Sequence, residues 1–186
     1  MKLINMDTST LIRQARKADA NPGGGAILIL TSNLAINLCL MMDKKSWADK
    51  EEAAKVSRET LLSISSLYEK LMQDDVDNFN TLMKAYKNDM ANESHYLKSY
   101  QPLLTMFEKN LKAMDAIYFY LEHGRENAIT DGQIANDLVY QVSLSAIPTI
   151  EINLKHTSNQ INFDQMTKDI NKKYERNKRV IERRMK

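Results

Sequence analysis

The chain has 186 residues, which suits one domain with enough length to bury a hydrophobic core. It contains only five glycines and three prolines, and that composition favours an all-helical protein. Cys39 is the single cysteine, so an internal disulfide is excluded and a reducing, cytoplasmic location is the simplest expectation.

The first predicted element is a short helix over residues 9–18, with Asp7 or Thr8 as its cap. Residues 1–7 lack the apolar core of a secretion signal, so we expect none. Residues 21–25, Asn-Pro-Gly-Gly-Gly, then break the helix. Three consecutive glycines indicate either a tight turn into a closely packed helix or a helix start whose free N–H groups face an anionic ligand. The motif alone favours the ordinary turn.

An apolar, uncharged helix is predicted next, over residues 26–42. It is shorter than the ~20 residues of a membrane span, and it carries four polar side chains. We therefore interpret it as the buried central helix of a soluble bundle, with no membrane partner and with Cys39 in the core. Because it is more apolar than a surface helix of a monomer, we expect a homodimer.

A long helix is predicted over residues 47–87, after a polar connection. Steps of three and four residues place one carboxylate, Asp75, on an apolar stripe formed by Leu61, Ile64, Tyr68, Met72, Phe79, Leu82 and Tyr86. A buried carboxylate is costly, and burial would raise its pKa and make it a proton carrier near neutral pH. The alternative, that Asp75 pairs with a lysine or caps a break in the helix, stays open. Asp74 and Asp77 lie off the stripe and are expected to face solvent.

Three more helical segments complete the prediction. A loop over residues 88–94 leads to a helix over residues 95–122 that Gly124 ends. Thr130 and Gln133 form a capping-box pattern for a helix that reaches residue 154 and is kinked at Pro148. The last helix covers residues 163–185. Without any strand-like alternation, the sequence predicts an all-α, up-and-down bundle forming one domain over residues 1–186.

Other charged residues carry weaker signals. Asp131 lies in the first turn of a predicted helix, where the helix dipole alone explains a carboxylate. Lys44 and Lys45 could hold an acidic ligand, although loop lysines are usually solvated. The three histidines have no metal-ligand spacing, so no metal site is expected. Residues 168–186 hold nine Lys/Arg and three Asp/Glu, but no aromatic residues alternate with them, so we expect a solvated face and no nucleic-acid partner.

Taken in order, three segments resemble the cyclodeaminase/cyclohydrolase family of folate enzymes. This family includes methenyltetrahydrofolate cyclohydrolases and the cyclodeaminase half of the bifunctional formiminotransferase-cyclodeaminase. Residues 22–26, Pro-Gly-Gly-Gly-Ala, are similar to the family's Pro-Gly-Gly-Gly-Ser, and residues 75–79, Asp-Val-Asp-Asn-Phe, to its Asp-Ala-Glu-Ala-Phe. The third segment, residues 127–154, has Thr130-Asp131 and Ile152-Asn153-Leu154 at the family's spacing. The resemblance covers about residues 8–175.

The resemblance implies a dimeric helical bundle that binds folate near its subunit interface. It implies that Asp75 is the general acid/base of a methenyltetrahydrofolate cyclohydrolase or a formiminotetrahydrofolate cyclodeaminase. It further implies substrate-binding roles for six residues: the pocket is lined by Gly23, Gly24 and Gly25, Asp131 positions the ligand, and Lys44 and Lys45 lie near its acidic tail. No metal or cofactor is implied beyond the tetrahydrofolate substrate.

The chain also departs from the family pattern. Bulky Ile, Leu, Asn and Met side chains follow the glycines where the family has Ala and Gly, and two connections are shorter. Thr149 replaces a family asparagine beside the unusual Pro148. These departures support an alternative, a non-catalytic helical dimer that acts as a binding or assembly module. The retained Asp75 favours the enzyme.

Overall fold

The structure, a computed structural model, describes residues 2–17 and 22–186, and every element in these ranges is helical. The six α-helices are α1 (Thr8–Ala15), α2 (Gly24–Cys39), α3 (Glu51–Lys87), α4 (Glu93–His123), α5 (Ile129–Leu154) and α6 (Phe163–Arg184). Short 3-10 turns cover Leu3–Asn5, Leu40–Met42, Ala48–Lys50 and Glu126–Ala128. The predicted all-α class is confirmed.

Helices α2 to α6 alternate in direction. We call the end where α2 begins the glycine end; there Gly25 lies against Asp75 of α3 and the cavity is also lined by Thr149 near the end of α5. At the opposite end of the bundle, the Arg125 N–H donates to the Met42 carbonyl at 2.8 Å. Helices α3 and α5 therefore run toward the glycine end while α2 and α4 run away from it. The up-and-down arrangement is the predicted one.

Side-chain caps explain several helix starts. The Asp7 carboxylate accepts the Thr10 N–H at 2.9 Å, as predicted. Asn92 forms a capping box with His95, so α4 begins at Glu93, two residues before the predicted start. The first helix ends at Ala15 rather than at residue 18, which lies with residues 19–21 outside the described ranges.

The capping box predicted at Thr130 is wrong. Helix α5 begins at Ile129, and its N-cap is Ala128, which makes no side-chain cap bond. The 3-10 turn before it continues directly into α5, so the backbone at Thr130 is already helical. Pro148 does not end α5, which continues to Leu154. Since Pro148 is exposed, water can reach the carbonyl that its missing N–H would have bonded.

The centre of the bundle contains a polar cluster among apolar side chains. Asn110 of α4 is fully buried, and it bonds Ser32, Tyr68 and Ser143 of the three surrounding helices. Cys39 lies in the apolar core, as predicted, and burial raises the pKa of its thiol well above the usual range. Buried polar groups are stable in such a core only when their hydrogen bonds are made, so the cluster fixes how these helices meet.

Helix α6 packs on α4 and α5, on the side of the bundle away from α2. Several of its basic side chains bind carboxylates of α4: Lys173 and Arg176 bind Asp115, and Arg183 binds Glu122. These ion pairs account for part of the basic composition of residues 168–186 through folding contacts. The expected lack of a nucleic-acid partner stays a prediction.

Helix α2 contacts α3, α4 and α5, yet it is apolar on both sides. Its outward side, which we call the outer face, consists mainly of Ile27, Leu30, Leu34, Leu38 and Met41; Leu34 is 62% exposed and Met41 50%. By length and composition alone, Gly24–Met42 could span a membrane, although 44% of the stretch is buried within the bundle. The buried half agrees with the predicted central helix, and the outer face lacks a partner within the described chain.

Candidate active site at the start of helix α2

A cavity of about 180 Å³ lies at the glycine end of the bundle. Four helices contribute to its wall, which is lined by Gly23, Gly24, Gly25, Asp75, Phe79, Ser99, Thr149 and Asn153. Asp75 is the only titratable side chain among these residues. A more open groove of about 660 Å³ lies at the α5–α6 connection, but its carboxylates, Glu151 and Asp164, are exposed. The smaller cavity is therefore the better candidate for proton-transfer chemistry.

Asp75 is a buried carboxylate without an ion-pair partner among the described residues, and it is only 8% exposed. Burial raises its pKa from the ordinary 3.8 to about 6, while a hydrogen bond from the Ala26 N–H partly opposes that rise. Helix α3 continues without interruption past Asp75, so this residue neither pairs with a lysine nor caps a break. Of the two interpretations left open by the sequence, the structure supports the buried carboxylate.

The predicted stripe around Asp75 is correct at its centre and wrong at its end. Tyr68, Met72 and Leu82 are buried, and Phe79 is half-buried against the cavity. Tyr86, however, is 62% exposed. It lies in the last turn of α3, where Leu82 and Ala85 are the nearest buried side chains, so the stripe leaves the core there.

Of the three consecutive glycines, Gly25 is explained by close approach and not by an unusual backbone angle. All five glycines lie in the described ranges, and none has a positive φ. A Cβ atom on Gly25 would lie 2.6 Å from Oδ2 and 2.8 Å from Cγ of Asp75, whereas a Cβ on Gly24 would meet nothing within 4 Å. Gly25 is therefore needed so that the α2 backbone can reach the carboxylate. Gly23 is the N-cap of α2 and lines the cavity with Gly24.

Four residues of the cavity wall were not among the predicted site residues: Phe79, which was predicted only as part of the apolar stripe, and Ser99, Thr149 and Asn153. Ser99 is only 5% exposed, and its hydroxyl makes no hydrogen bond to any described residue, so it is available to a ligand. The Asn153 amide donates to the Thr149 carbonyl at 3.1 Å, which leaves its oxygen free. In the sequence, Asn153 was noted only because it matches the family pattern, and Thr149 only because it departs from it. Nothing in the sequence around Ser99 indicated the site.

Lys44, Lys45 and Asp131 lie at the opposite end of the bundle. The two lysines follow the 3-10 turn that ends at Met42, and Asp131 precedes Gly132, which packs against Met42. The 16 residues of α2 separate this end from the cavity by roughly 24 Å. Within one chain, these three residues therefore lie at the same end of the bundle but far from Asp75. The Lys44 ammonium lies 5.2 Å from the centre of the Trp47 ring.

Comparison with known proteins identifies relatives of this fold. A family model described as formiminotransferase-cyclodeaminase matches residues 7–172. Among solved structures, a formiminotetrahydrofolate cyclodeaminase from Thermotoga maritima is similar, with a TM-score of 0.81 and 21% sequence identity. The superposition covers 96% of this chain and 97% of that one, and at this identity it shows a shared fold. A search of curated protein sequences finds no match.

We predict that Gly25→Ala and Gly24→Ala have opposite effects on stability. The Cβ added at Gly25 overlaps the Asp75 carboxylate, and such overpacking costs about 1–3 kcal/mol. The Cβ added at Gly24 enters open space, where replacing glycine in a helix is neutral or stabilises by up to about 1 kcal/mol. Urea unfolding measures both free energies. Equal values for the two variants would contradict the close approach at Gly25.

A second prediction concerns the stability of Asp75→Asn as a function of pH. Because the folded pKa is raised to about 6, the folded state of the wild type binds an extra proton between pH 4 and 6 and loses stability as the pH rises through that range. Asparagine has no such dependence. We therefore expect the variant to gain about 3 kcal/mol over wild type at pH 7.5 and little at pH 4. Thermal or urea unfolding at both values tests this, with the exposed Asp77→Asn as the matched control.

Proposed function

Because the chain belongs to the formiminotransferase-cyclodeaminase family, we propose that it catalyses a one-carbon conversion of a tetrahydrofolate derivative with Asp75 as general acid and base. The resemblance seen in the sequence is confirmed by the match over residues 7–172. The observation that carries the proposal is the buried Asp75 carboxylate, the only titratable side chain among the described residues that line the cavity. Its pKa of about 6 keeps both protonation states populated near neutral pH, which favours proton transfer in either direction.

The first candidate reaction is cyclodeamination of a formimino group, the activity for which the family and the similar structure are named. N10 of the folate attacks the protonated formimino carbon, and a C–N bond forms. The Asp75 carboxylate takes the proton from N10 and returns it to the amino nitrogen, which leaves as ammonia as its C–N bond breaks. The product is the methenyl cation. Hydrolysis of a methenyl group would use the same carboxylate, with water adding to the carbon.

The surrounding groups suit a cationic, planar reacting centre. The Asp75 carboxylate opposes the positive charge of an amidinium or methenyl group, and none of the cavity-lining residues that the structure describes is cationic. The Phe79 ring offers an apolar wall, and the Ser99 hydroxyl and Asn153 oxygen can accept ligand N–H groups. Each of these contacts orients the substrate, while the proton transfers depend on Asp75 alone.

The cavity of one chain is too small for a whole folate. At about 180 Å³ it is below the usual range for pockets that bury a drug-sized ligand, so it would hold only the reacting end. The rest of the ligand must lie outside this wall. Lys44, Lys45 and Asp131 would contact it only if a second copy brought its opposite end close to this cavity.

The proposed function therefore includes a homodimer formed through the outer face of α2. A two-fold axis perpendicular to α2 near Leu34, midway between Gly24 and Met42, pairs the two α2 helices antiparallel. Such pairing sets the start of one α2 beside the end of the other, so that the opposite end of the second copy adjoins the cavity. The exposed apolar side chains Leu34 and Met41 would then be buried, as this much apolar surface requires.

We predict that Asp75→Asn lowers turnover by about two to four orders of magnitude while the fold is kept. Asparagine preserves the volume and can accept the Ala26 N–H, but it cannot carry a proton. Methenyl-folate absorbance is followed during its formation from formimino-folate and during its decay, after correction for spontaneous hydrolysis. Asp77→Asn, on the exposed side of the same helix, is the control that keeps wild-type rates.

Two outcomes would change this conclusion. Equal rates for wild type and Asp75→Asn, both above background, would show that Asp75 is not the catalyst. If the wild type neither exceeds background nor binds a reduced folate in a titration, the non-catalytic binding or assembly module is the better account. The relative rates of ammonia release and methenyl hydrolysis distinguish a deaminase from a hydrolase.

A further prediction is that Leu34→Glu converts a wild-type dimer into a monomer. A carboxylate at the centre of the outer face would be buried without a partner, which is strongly unfavourable. Light scattering at micromolar concentration measures the mass. Val56→Glu is the matched control, because Val56 is 54% exposed but lines a groove between α3 and α4, away from α2. A monomeric wild type, or loss of the dimer in both variants, would refute the interface.

A further inference from the structure

Asn110 joins four helices through one fully buried side chain. Its Oδ1 accepts the Ser32 hydroxyl of α2 at 2.6 Å and the Tyr68 hydroxyl of α3 at 2.7 Å. Its Nδ2 donates to the Ser143 hydroxyl of α5 at 2.9 Å. At this level of the core, α2 and α3 are thus linked through one oxygen atom of α4, and nearer the opposite end the Asn37 amide of α2 donates directly to the Ser65 hydroxyl of α3 at 2.8 Å.

The positions of these partners relate the cluster to the active site. Ser32 lies seven residues after Gly25 on α2, and Tyr68 lies seven residues before Asp75 on α3. Because the two helices are antiparallel, both intervals lead from Asn110 toward the glycine end. Each interval is two helical turns, about 10.5 Å. Measured along the two helix axes, Gly25 and Asp75 therefore lie at the same distance from the residues that bind Asn110.

The contact between Gly25 and Asp75 requires that level to be set closely. The carboxylate occupies the space that a Cβ on Gly25 would fill, with Oδ2 at 2.6 Å and Cγ at 2.8 Å from that position. A shift of α2 along α3 by one residue, about 1.5 Å, would move the carboxylate out of this space. Apolar contacts have no preferred direction, whereas hydrogen bonds constrain both distance and angle, so polar contacts add to what packing fixes along the helix axis.

We propose that Asn110 is a positioning residue for Asp75: by binding Ser32 and Tyr68 at one oxygen, it sets the axial register of α2 on α3 that seats the carboxylate against Gly25 in the first turn of α2. The catalytic part of this proposal rests on the proposed function. The positioning of Asp75 by Asn110 can be tested without measuring turnover. Asn110 itself lies two turns from the cavity and contacts no substrate.

A second buried asparagine provides a matched control. Asn177 of α6 is also fully buried, and its amide donates to the Met114 carbonyl at 3.1 Å and to Asn136 Oδ1 at 2.9 Å. These bonds join α6 to α4 and α5, and none of them reaches α2 or α3. Loss of Asn177 therefore removes comparable buried hydrogen bonds while the α2–α3 register keeps its own support.

The test follows the backbone amide of Ala26 by NMR while Asp75 titrates, in the full chain. In wild type and in Asn177→Ala, the Ala26 amide proton shift should move with the Asp75 carboxyl signal, because the carboxylate lies against Gly25, next to this amide in the first turn of α2. In Asn110→Ala, we expect this response to fall by at least about half, since the carboxylate no longer holds its place beside Gly25. Where turnover is measured, kcat should fall about tenfold or more in this variant with KM nearly unchanged.

Persistence of the full Ala26 response in Asn110→Ala would overturn the proposal, and so would an equal loss in Asn177→Ala. If Asn110→Ala does not fold, Tyr68→Phe removes one of the two hydroxyls from the same oxygen while keeping the ring, and it should give a smaller loss of the same response. If neither the wild type nor any variant shows turnover, the proposed function is contradicted. The Ala26 amide shift would then still test whether Asn110 sets the register of α2 on α3.

Discussion

The contact between the Asp75 carboxylate and the first turn of α2 is the constraint on which the rest of the structure depends. Burying a carboxylate without a cation is unfavourable, and here the compensation comes from a backbone N–H at a helix start, where the dipole also favours negative charge. That compensation is incomplete, so the pKa remains raised to about 6. A fully paired carboxylate would be more stable and less able to exchange a proton.

Helix α2 is held at three levels along its length, and each level limits its axial position. At its start, the absent side chain of Gly25 admits the carboxylate, and at its middle Ser32 binds Asn110. Beyond its end, Met42 is enclosed by two glycines, one before α5 and one in its first turn: a Cβ on Gly124 would lie 2.8 Å from the Met42 Cβ, and a Cβ on Gly132 would overlap the Met42 sulfur. Glycines thus fix α2 at both ends for the same reason, space, although one end faces chemistry and the other only packing.

Sequence patterns were sufficient where the information is local. The helices, most of their ends and the buried position of Asp75 follow from periodicity and capping residues, as the Asp7 cap illustrates. The role of Gly25 could not be read in this way, since it depends on a residue fifty positions later in the chain. Ser99 was missed because a lone serine near a helix start has no distinctive pattern. At Thr130 a valid capping pattern failed because the preceding 3-10 turn had already started the helix.

The sequence also could not tell which end of the bundle each residue occupies, and this determines what one chain can do. Lys44 and Asp131 are placed together by the alternation of helix directions, but roughly 24 Å from Asp75 along α2. The inner side of α2 contacts the Asp75 carboxylate at Gly25, while its outer face is apolar and exposed. A partner that covers the outer face would also restrain the start of α2, so assembly and the protonation of Asp75 would be linked through one rigid element.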